Sequence, residues 1–142
     1  MIEFYLESRS GIAPYMQLVQ QVKQAMRLGL LTPGDQLPTV REVVAKIPIN
    51  PNTVFKAYRE LEHEGLVQSR PGMGTFIRKT LAPPSLANHE ILRSDLLDWM
   101  RKAHEAGLDE ESKMALFADT LKQFQREEAT RDERLTTTKE NE

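Results

Sequence analysis

Two helix starts that lie only a few residues apart constrain this chain more than any other feature of its sequence. Thr39, followed three residues later by Glu42, is a capping box and predicts a helix start. That helix must end before Pro48, which lacks a backbone donor and restricts the residue before it. Asn50 and Pro51 then suit the N-cap and the first turn of another helix. Helices joined this closely must cross at a steep angle, which predicts a helix-turn-helix.

Further elements flank this pair of helices. From Pro14 to about Leu30, apolar residues recur every three or four positions, which predicts an amphipathic helix. Gly65 suits a left-handed C-cap, and residues 66–70 and 75–78 then predict two strands of a tight, glycine-containing hairpin. The order is typical of a winged helix-turn-helix. We therefore predict a mainly α fold with a small β-hairpin wing.

The C-terminal third predicts two more helices. Apolar residues advance by three and four along each, Gly107 ends the first helix, and Asp109 can cap the second. Two helices of four or five turns cannot bury two such stripes against each other, so we expect pairing with a second copy of the chain. The residues predicted to form this dimerisation surface are Leu92, Leu96, Trp99, Ala103, Met114, Phe117, Leu121 and Phe124. An alternative is that Trp99 and the two phenylalanines line a pocket for an unknown small-molecule effector.

The predicted organisation has five parts. They are an N-terminal arm at residues 1–11, a winged helix-turn-helix at 12–80, a linker at 81–87, a two-helix dimerisation segment at 88–128 and a flexible tail at 129–142. Adjacent prolines mark the linker as a stiff spacer, and the tail has no apolar period.

Charge is unevenly distributed along the chain. The net charge is −2, but residues 1–80 carry ten lysines and arginines against seven acidic residues, whereas residues 81–142 carry nine against fourteen. A basic half joined to an acidic half fits a protein that touches DNA with its first half only. We expect no membrane partner and a cytoplasmic location, because the apolar runs are short and the first residues lack the layout of a secretory signal.

Catalytic and metal chemistry find no support in the sequence. The chain has no cysteine, and its His-Glu pairs at positions 63, 89 and 104 lack the second histidine of a zinc-protease motif. We expect neither an enzyme nor a cofactor or metal site.

The predicted winged domain also resembles a known family. Runs such as Leu-Pro-Thr-Val-Arg-Glu at 37–42, Asn-Pro-Asn-Thr-Val at 50–54 and Ala-Tyr-Arg-Glu-Leu-Glu at 57–62 resemble the GntR family of bacterial regulators, in particular its YtrA-like branch. The resemblance covers roughly residues 12–78. It implies a homodimeric, sequence-specific transcription regulator, a repressor that binds a palindromic operator in double-stranded DNA and controls a transporter operon.

The outward face of the second helix of the pair carries the main candidates for DNA contact. On a helical wheel Asn52, Lys56 and Arg59 lie opposite the apolar stripe, where amide and cationic groups could reach base edges and phosphates. The full predicted set is Arg41, Asn50, Asn52, Thr53, Lys56, Arg59, Arg70, Gly72 and Gly74. Pro51 and Phe55 depart from the resemblance, because better-studied members often carry arginines there.

Explanations that involve no DNA contact remain open for these residues. A polar helix face can be merely solvated, Arg41 can pair with Glu42 or Glu60, and glycines can serve a plain hairpin. A winged-helix module that binds another protein and is indifferent to DNA is the alternative function.

Overall fold

A computed structural model describes residues 2–83 and 89–140 of the chain, without the side chains of 137–140. Its elements are α1 (Pro14–Arg27), α2 (Val40–Lys46), α3 (Pro51–His63), β1 (Val67–Arg70), β2 (Gly74–Ile77), α4 (His89–Glu105) and α5 (Glu110–Glu140). The chain divides into two compact units, Met1–His89 and Glu90–Glu142. The predicted fold class, mainly α with a small hairpin wing, is confirmed.

The caps of α2 and α3 form where the sequence predicts them. The Thr39 hydroxyl accepts a hydrogen bond from the backbone N–H of Glu42 at 3.1 Å and donates one to the Glu42 carboxylate. The Asn50 side-chain oxygen accepts from the backbone N–H of Asn52 at 2.8 Å, and Pro51 is the first residue of α3. Both caps satisfy backbone donors that the helix itself leaves free.

The core of the first unit lies between α1, α3 and the wing. Leu18, Val22 and Met26 of α1 and Val54 and Leu61 of α3 are fully buried. They occupy the apolar stripes expected from the three-to-four residue spacing. Burial of these stripes is the main contribution to the stability of the unit, since an isolated helix of 13 or 14 residues is marginal in water.

The described part of the N-terminal arm is irregular, and two glutamines of α1 hold it against the domain. Gln17, only 8% exposed, accepts a hydrogen bond from the backbone N–H of Glu7 and donates to the carbonyls of Glu7 and Ile12. Gln21 pairs with both backbone groups of Tyr5. Both glutamines lie outside the apolar stripe of α1, where side chains usually face solvent, but here they provide the backbone partners of the arm.

The wing is a two-stranded antiparallel hairpin in which Val67 pairs with Ile77 and Arg70 with Gly74. Residues 34–37, in the connection between α1 and α2, also pair with β2. The backbone N–H of Leu37 donates to the carbonyl of Thr75, and that of Ile77 to the carbonyl of Asp35, both at 2.8 Å. The connection between α1 and α2 is therefore hydrogen-bonded along β2 and holds the wing in place.

The second unit contains the two predicted C-terminal helices. The backbone N–H of Ser112 donates to the Asp109 carboxylate at 2.8 Å, so Asp109 caps α5 as expected. The prediction of a tail without regular structure from residue 129 is wrong, because α5 continues to Glu140. The added turns have little apolar periodicity, and an exposed ion pair between Glu128 and Arg131 lies at their start. Of the predicted linker, residues 81–83 are irregular and 84–87 lie outside the described residues.

Most of the predicted dimerisation residues lie exposed on these two helices. Trp99 is half-buried. Six of the eight are exposed, namely Leu92, Leu96, Met114, Phe117, Leu121 and Phe124. Ala103 is the exception. It is buried within its own chain, so we correct its assignment from a contact surface to an intramolecular packing position.

Candidate nucleic-acid interface

An open cleft of about 560 Å³ lies on the first unit, between the start of α2, one side of α3 and the wing. Arg41 of α2, Arg59 of α3 and Arg70 of the wing line it, together with Gly72 and Gly74. These five residues come from three separate stretches of the sequence and all belong to the predicted DNA-binding set. The fold therefore assembles one cationic surface from them.

Tyr58 holds the α2 side of the cleft in place. This buried residue donates a hydrogen bond from its hydroxyl to the carbonyl of Pro38 at 2.6 Å. Burial, with a smaller effect from the negative charge of Glu42, raises the pKa of Tyr58 well above its usual value, so the hydroxyl keeps its proton. Pro38 immediately precedes the Thr39 cap. The core thereby fixes the position of the first turn of α2, which presents Arg41.

Some residues on the outward face of α3 line the cleft and others do not. Arg59 lines the cleft, whereas the exposed Asn52 lies elsewhere on the same polar face. Asn50 uses its side-chain oxygen for the helix cap, and Thr53 is half-buried. The predicted polar start of α3 therefore combines helix capping at Asn50 with an exposed amide at Asn52.

Lys56 lies against another aromatic residue of the first unit. Its ammonium nitrogen is 4.0 Å from the centroid of the Tyr15 ring, near the start of α1. This is a cation–π contact, worth about 0.5 to 1 kcal/mol at an exposed site. Lys56 does not line the cleft, so the structure separates it from the arginines with which the sequence grouped it.

The wing presents a tight turn to the cleft. The backbone N–H of Met73 donates to the carbonyl of Arg70 at 3.0 Å, and Gly72 has a φ of +74°, which a glycine adopts without strain. The Arg70 guanidinium lies 4.6 Å from the centroid of the Phe76 ring, a cation–π contact within the wing. At Gly74 a side chain would collide with Gln36, whose amide donates to the carbonyl of Met73. The glycines thus have a structural role in the wing.

The charges in the cleft favour an anion. Glu62 is the acidic residue among those that line it, and its carboxylate accepts a weak hydrogen bond from the backbone N–H of Ser69 at 3.4 Å. Three guanidinium groups therefore face one carboxylate. Within the described residues, Arg41 has no salt bridge to Glu42 or Glu60, the ion pairs considered as its alternative. Such a surface attracts phosphates.

Sequence reasoning missed two apolar members of this surface. Phe55 of α3 and Met73 of the wing turn line the cleft, and they are 51% and 63% exposed. Phe55 drew attention only as a departure from the arginine of related proteins. An exposed aromatic residue on an otherwise polar helix face is the signal that could have identified it.

Metal-binding clusters and membrane-spanning helices are both absent from the described residues. They contain no group of three or more histidine, cysteine, aspartate or glutamate side chains arranged to hold a metal ion. In that same part of the chain, no helix combines the length and apolar character needed to span a membrane.

A cationic cleft bounded by the paired helices and the wing defines a winged helix-turn-helix protein of the DNA-binding class. The family described as bacterial regulatory proteins of the gntR family matches residues 14–77. The chain is 39% identical over 106 residues to the HTH-type transcriptional repressor YtrA of Bacillus subtilis. The matched segment covers 73% of this chain and 81% of that protein. The chain therefore belongs to the GntR family of transcription regulators, and its predicted YtrA-like character is confirmed.

Two other comparisons agree with this assignment. YhcF of Bacillus subtilis, an HTH-type transcriptional regulator, is 34% identical over 68% of this chain and 80% of its own length. The crystal structure of a transcriptional antiterminator from Listeria monocytogenes is 29% identical, with a TM-score of 0.52, and covers 84% of this chain and 90% of that one. These relatives are named for the control of transcription and not for an enzymatic activity.

Proposed function

We propose that the protein is a repressor that binds a palindromic operator as a homodimer and controls a transporter operon. The observation that carries this proposal is the cleft lined by Arg41, Arg59 and Arg70. In the proposed complex α3 enters the major groove, Arg41 and Arg59 meet phosphates, and the wing approaches the adjacent groove.

Exposed apolar side chains on α4 and α5 support the homodimer. Between residues 90 and 136, where side-chain burial is described, Ala103 is the one buried residue. Large side chains such as Phe117, Leu121 and Phe124 remain exposed along one face of α5. A second copy of the chain would bury them and would place two cationic clefts on the two halves of a palindrome. Because these aromatic residues are exposed, we favour the dimer contact over an effector pocket for them.

The repressor role and the transporter operon have separate support. A relative that shares 39% identity is named a transcriptional repressor. Control of a transporter operon follows from the YtrA-like resemblance, since many members of that branch repress such operons. A bound operator that overlaps a promoter would block RNA polymerase, and transcription in vitro from that promoter would then fall when the protein is added.

Selection of duplexes from a random pool by the purified protein, followed by a salt titration, tests DNA binding. We expect a palindrome to be enriched and its affinity to fall steeply as salt rises. Arg41→Ala and Arg59→Ala should each make the logarithmic salt slope shallower by about one, because each removes one phosphate contact.

Arg27→Ala is the matched control, since Arg27 is an exposed arginine of the first unit that does not line the cleft. It should bind the selected duplex with the wild-type slope. If a folded dimer enriches no sequence, or if all three variants keep the wild-type slope, the operator proposal is wrong. A module that binds another protein would then explain the fold better.

A further inference from the structure

Phe55 is the exposed aromatic residue at the centre of the proposed DNA surface. It lies in the middle of α3, lines the same cleft as Arg41 and Arg59, and is 51% exposed. Its neighbours Val54 and Ala57 are fully buried, so the helix has an apolar face that does not include Phe55. Burial of a phenylalanine side chain is favourable, and a ring that is 51% exposed leaves about half of this gain to be realised with a partner.

The direction of Phe55 on the helix matters for its partner. At 100° per residue, Phe55 lies about 40° from Arg59 and about 60° from Asn52. The three side chains therefore project from one side of α3. A partner that meets the arginine and the amide also meets the phenyl ring, so this partner must combine negative charge and polar edges with a small apolar group.

The major groove of DNA offers that combination, and its apolar group is the C5-methyl of thymine. We propose that Phe55 contacts a thymine methyl group in each half-site and makes thymine the preferred base at that position. This inference rests on the proposed function, in which α3 enters the major groove. It assigns to Phe55 a part in base selection, whereas the surrounding arginines supply attraction to the backbone that is independent of sequence.

Deoxyuridine in place of thymidine tests the contact, because this change removes only the methyl group. In the selected operator, each thymine is replaced in turn, symmetrically in both half-sites, and wild-type affinity is measured by fluorescence anisotropy. Loss of one methyl contact should weaken binding about fourfold per half-site at one position. Phe55→Ala should bind the thymine duplex more weakly and should no longer distinguish thymine from uracil at that position.

Two variants control the experiment. Phe55→Leu keeps an apolar side chain and should retain part of the discrimination, while Met73→Ala removes an exposed apolar residue of the same cleft and should retain all of it. The inference is overturned if no uracil substitution affects wild type, or if Phe55→Ala keeps the full discrimination. In either case the palindrome would still be bound specifically. Failure to bind any specific duplex would instead overturn the proposed function and this inference together.

Discussion

The two units of the chain use their apolar residues in opposite ways. In the first unit, residues of α1, α3 and the wing bury one another, and side chains such as Leu18 and Leu61 have no contact with solvent. In the described part of the second unit, large apolar side chains lie on helix surfaces, and Ala103 is the one buried residue. Among the described residues, the element pairs that pack most closely likewise lie in the first unit.

This difference separates two sources of stability. The first unit has a core that burial within one chain can maintain. The second unit exposes apolar stripes whose burial requires another surface, so its stability should depend on protein concentration. Substitutions in the first unit should therefore change the free energy of unfolding, whereas substitutions in the second unit should change the dimer dissociation constant.

The largest expected effect follows from a cavity in the first unit. Leu61→Ala removes a fully buried side chain of α3 and should lower the free energy of unfolding by about 2 to 5 kcal/mol. Urea unfolding followed by circular dichroism measures it. Leu30→Ala, at an exposed leucine, should cost less than about 0.5 kcal/mol. Equal losses in the two variants would show that the first unit does not depend on this core.

A charge in the second unit should affect association instead. Leu121→Asp places a carboxylate in the exposed stripe of α5 and should raise the dimer dissociation constant at least about 30-fold. Sedimentation equilibrium measures this constant. Leu116→Asp is a close control, because Leu116 and Leu121 are 45% and 44% exposed on the same helix but project from different sides.

If Leu121→Asp and Leu116→Asp weaken dimerisation equally, the assignment of the dimer contact to the stripe that contains Leu121 is wrong. A wild-type chain that stays monomeric at micromolar concentration would remove the comparison between the two units altogether.

A smaller effect should connect the core to the cleft. Tyr58→Phe removes the hydroxyl that donates to the carbonyl of Pro38 and leaves that buried oxygen without this partner, at a cost of about 1 to 3 kcal/mol. Thermal unfolding measures the loss, and Tyr5→Phe, at an exposed tyrosine, should leave stability unchanged. If Tyr58→Phe also unfolds like wild type, the hydroxyl does not position the start of α2.

The smallest expected effect concerns the cap of α5. Hydrogen bonds from the Ser112 hydroxyl and backbone N–H lower the pKa of Asp109 below its usual value of 3.8. A lowered pKa in the folded state means that the cap stabilises the helix above pH 3.8 and that this contribution is lost as the pH falls through the folded-state pKa.

The amide NMR signal of Ser112 should report this titration, with a midpoint below pH 3.8. Asp109→Asn, which keeps an oxygen acceptor but does not titrate, should abolish the transition. A midpoint above 3.8 in wild type would show that the capping bond does not form in solution.

Local signals explain which parts of the fold the sequence predicts well. The caps at Thr39, Asn50 and Asp109 and the break at Pro48 each depend on a few neighbouring residues, and all four occur where expected. The candidate DNA-binding residues were grouped by helical periodicity, which places side chains on one face but does not say what lies beside that face. For that reason Lys56, which contacts Tyr15, was grouped with Arg59.

Features that depend on distant pairings were missed. Gln17 binds backbone groups that lie five and ten residues away, and Gln36 reaches Met73 across the wing. Periodicity treats such glutamines as solvent-facing because it registers polarity and not partners. The extension of α5 beyond residue 128 was missed because apolar periodicity does not detect a helical segment that is polar on most of its surface.

The pairing of residues 34–37 with β2 gives a loop outside the proposed DNA surface an influence on operator geometry. Because backbone hydrogen bonds join this loop to β2, inserting or deleting a residue there would change which of its residues pair with β2 and would move the wing turn. In the proposed complex, such a change would alter where the wing turn meets the DNA, with no substitution at Arg41, Arg59 or Arg70. An engineer who wishes to change how the wing meets the DNA should therefore vary this loop before varying the residues that face the DNA.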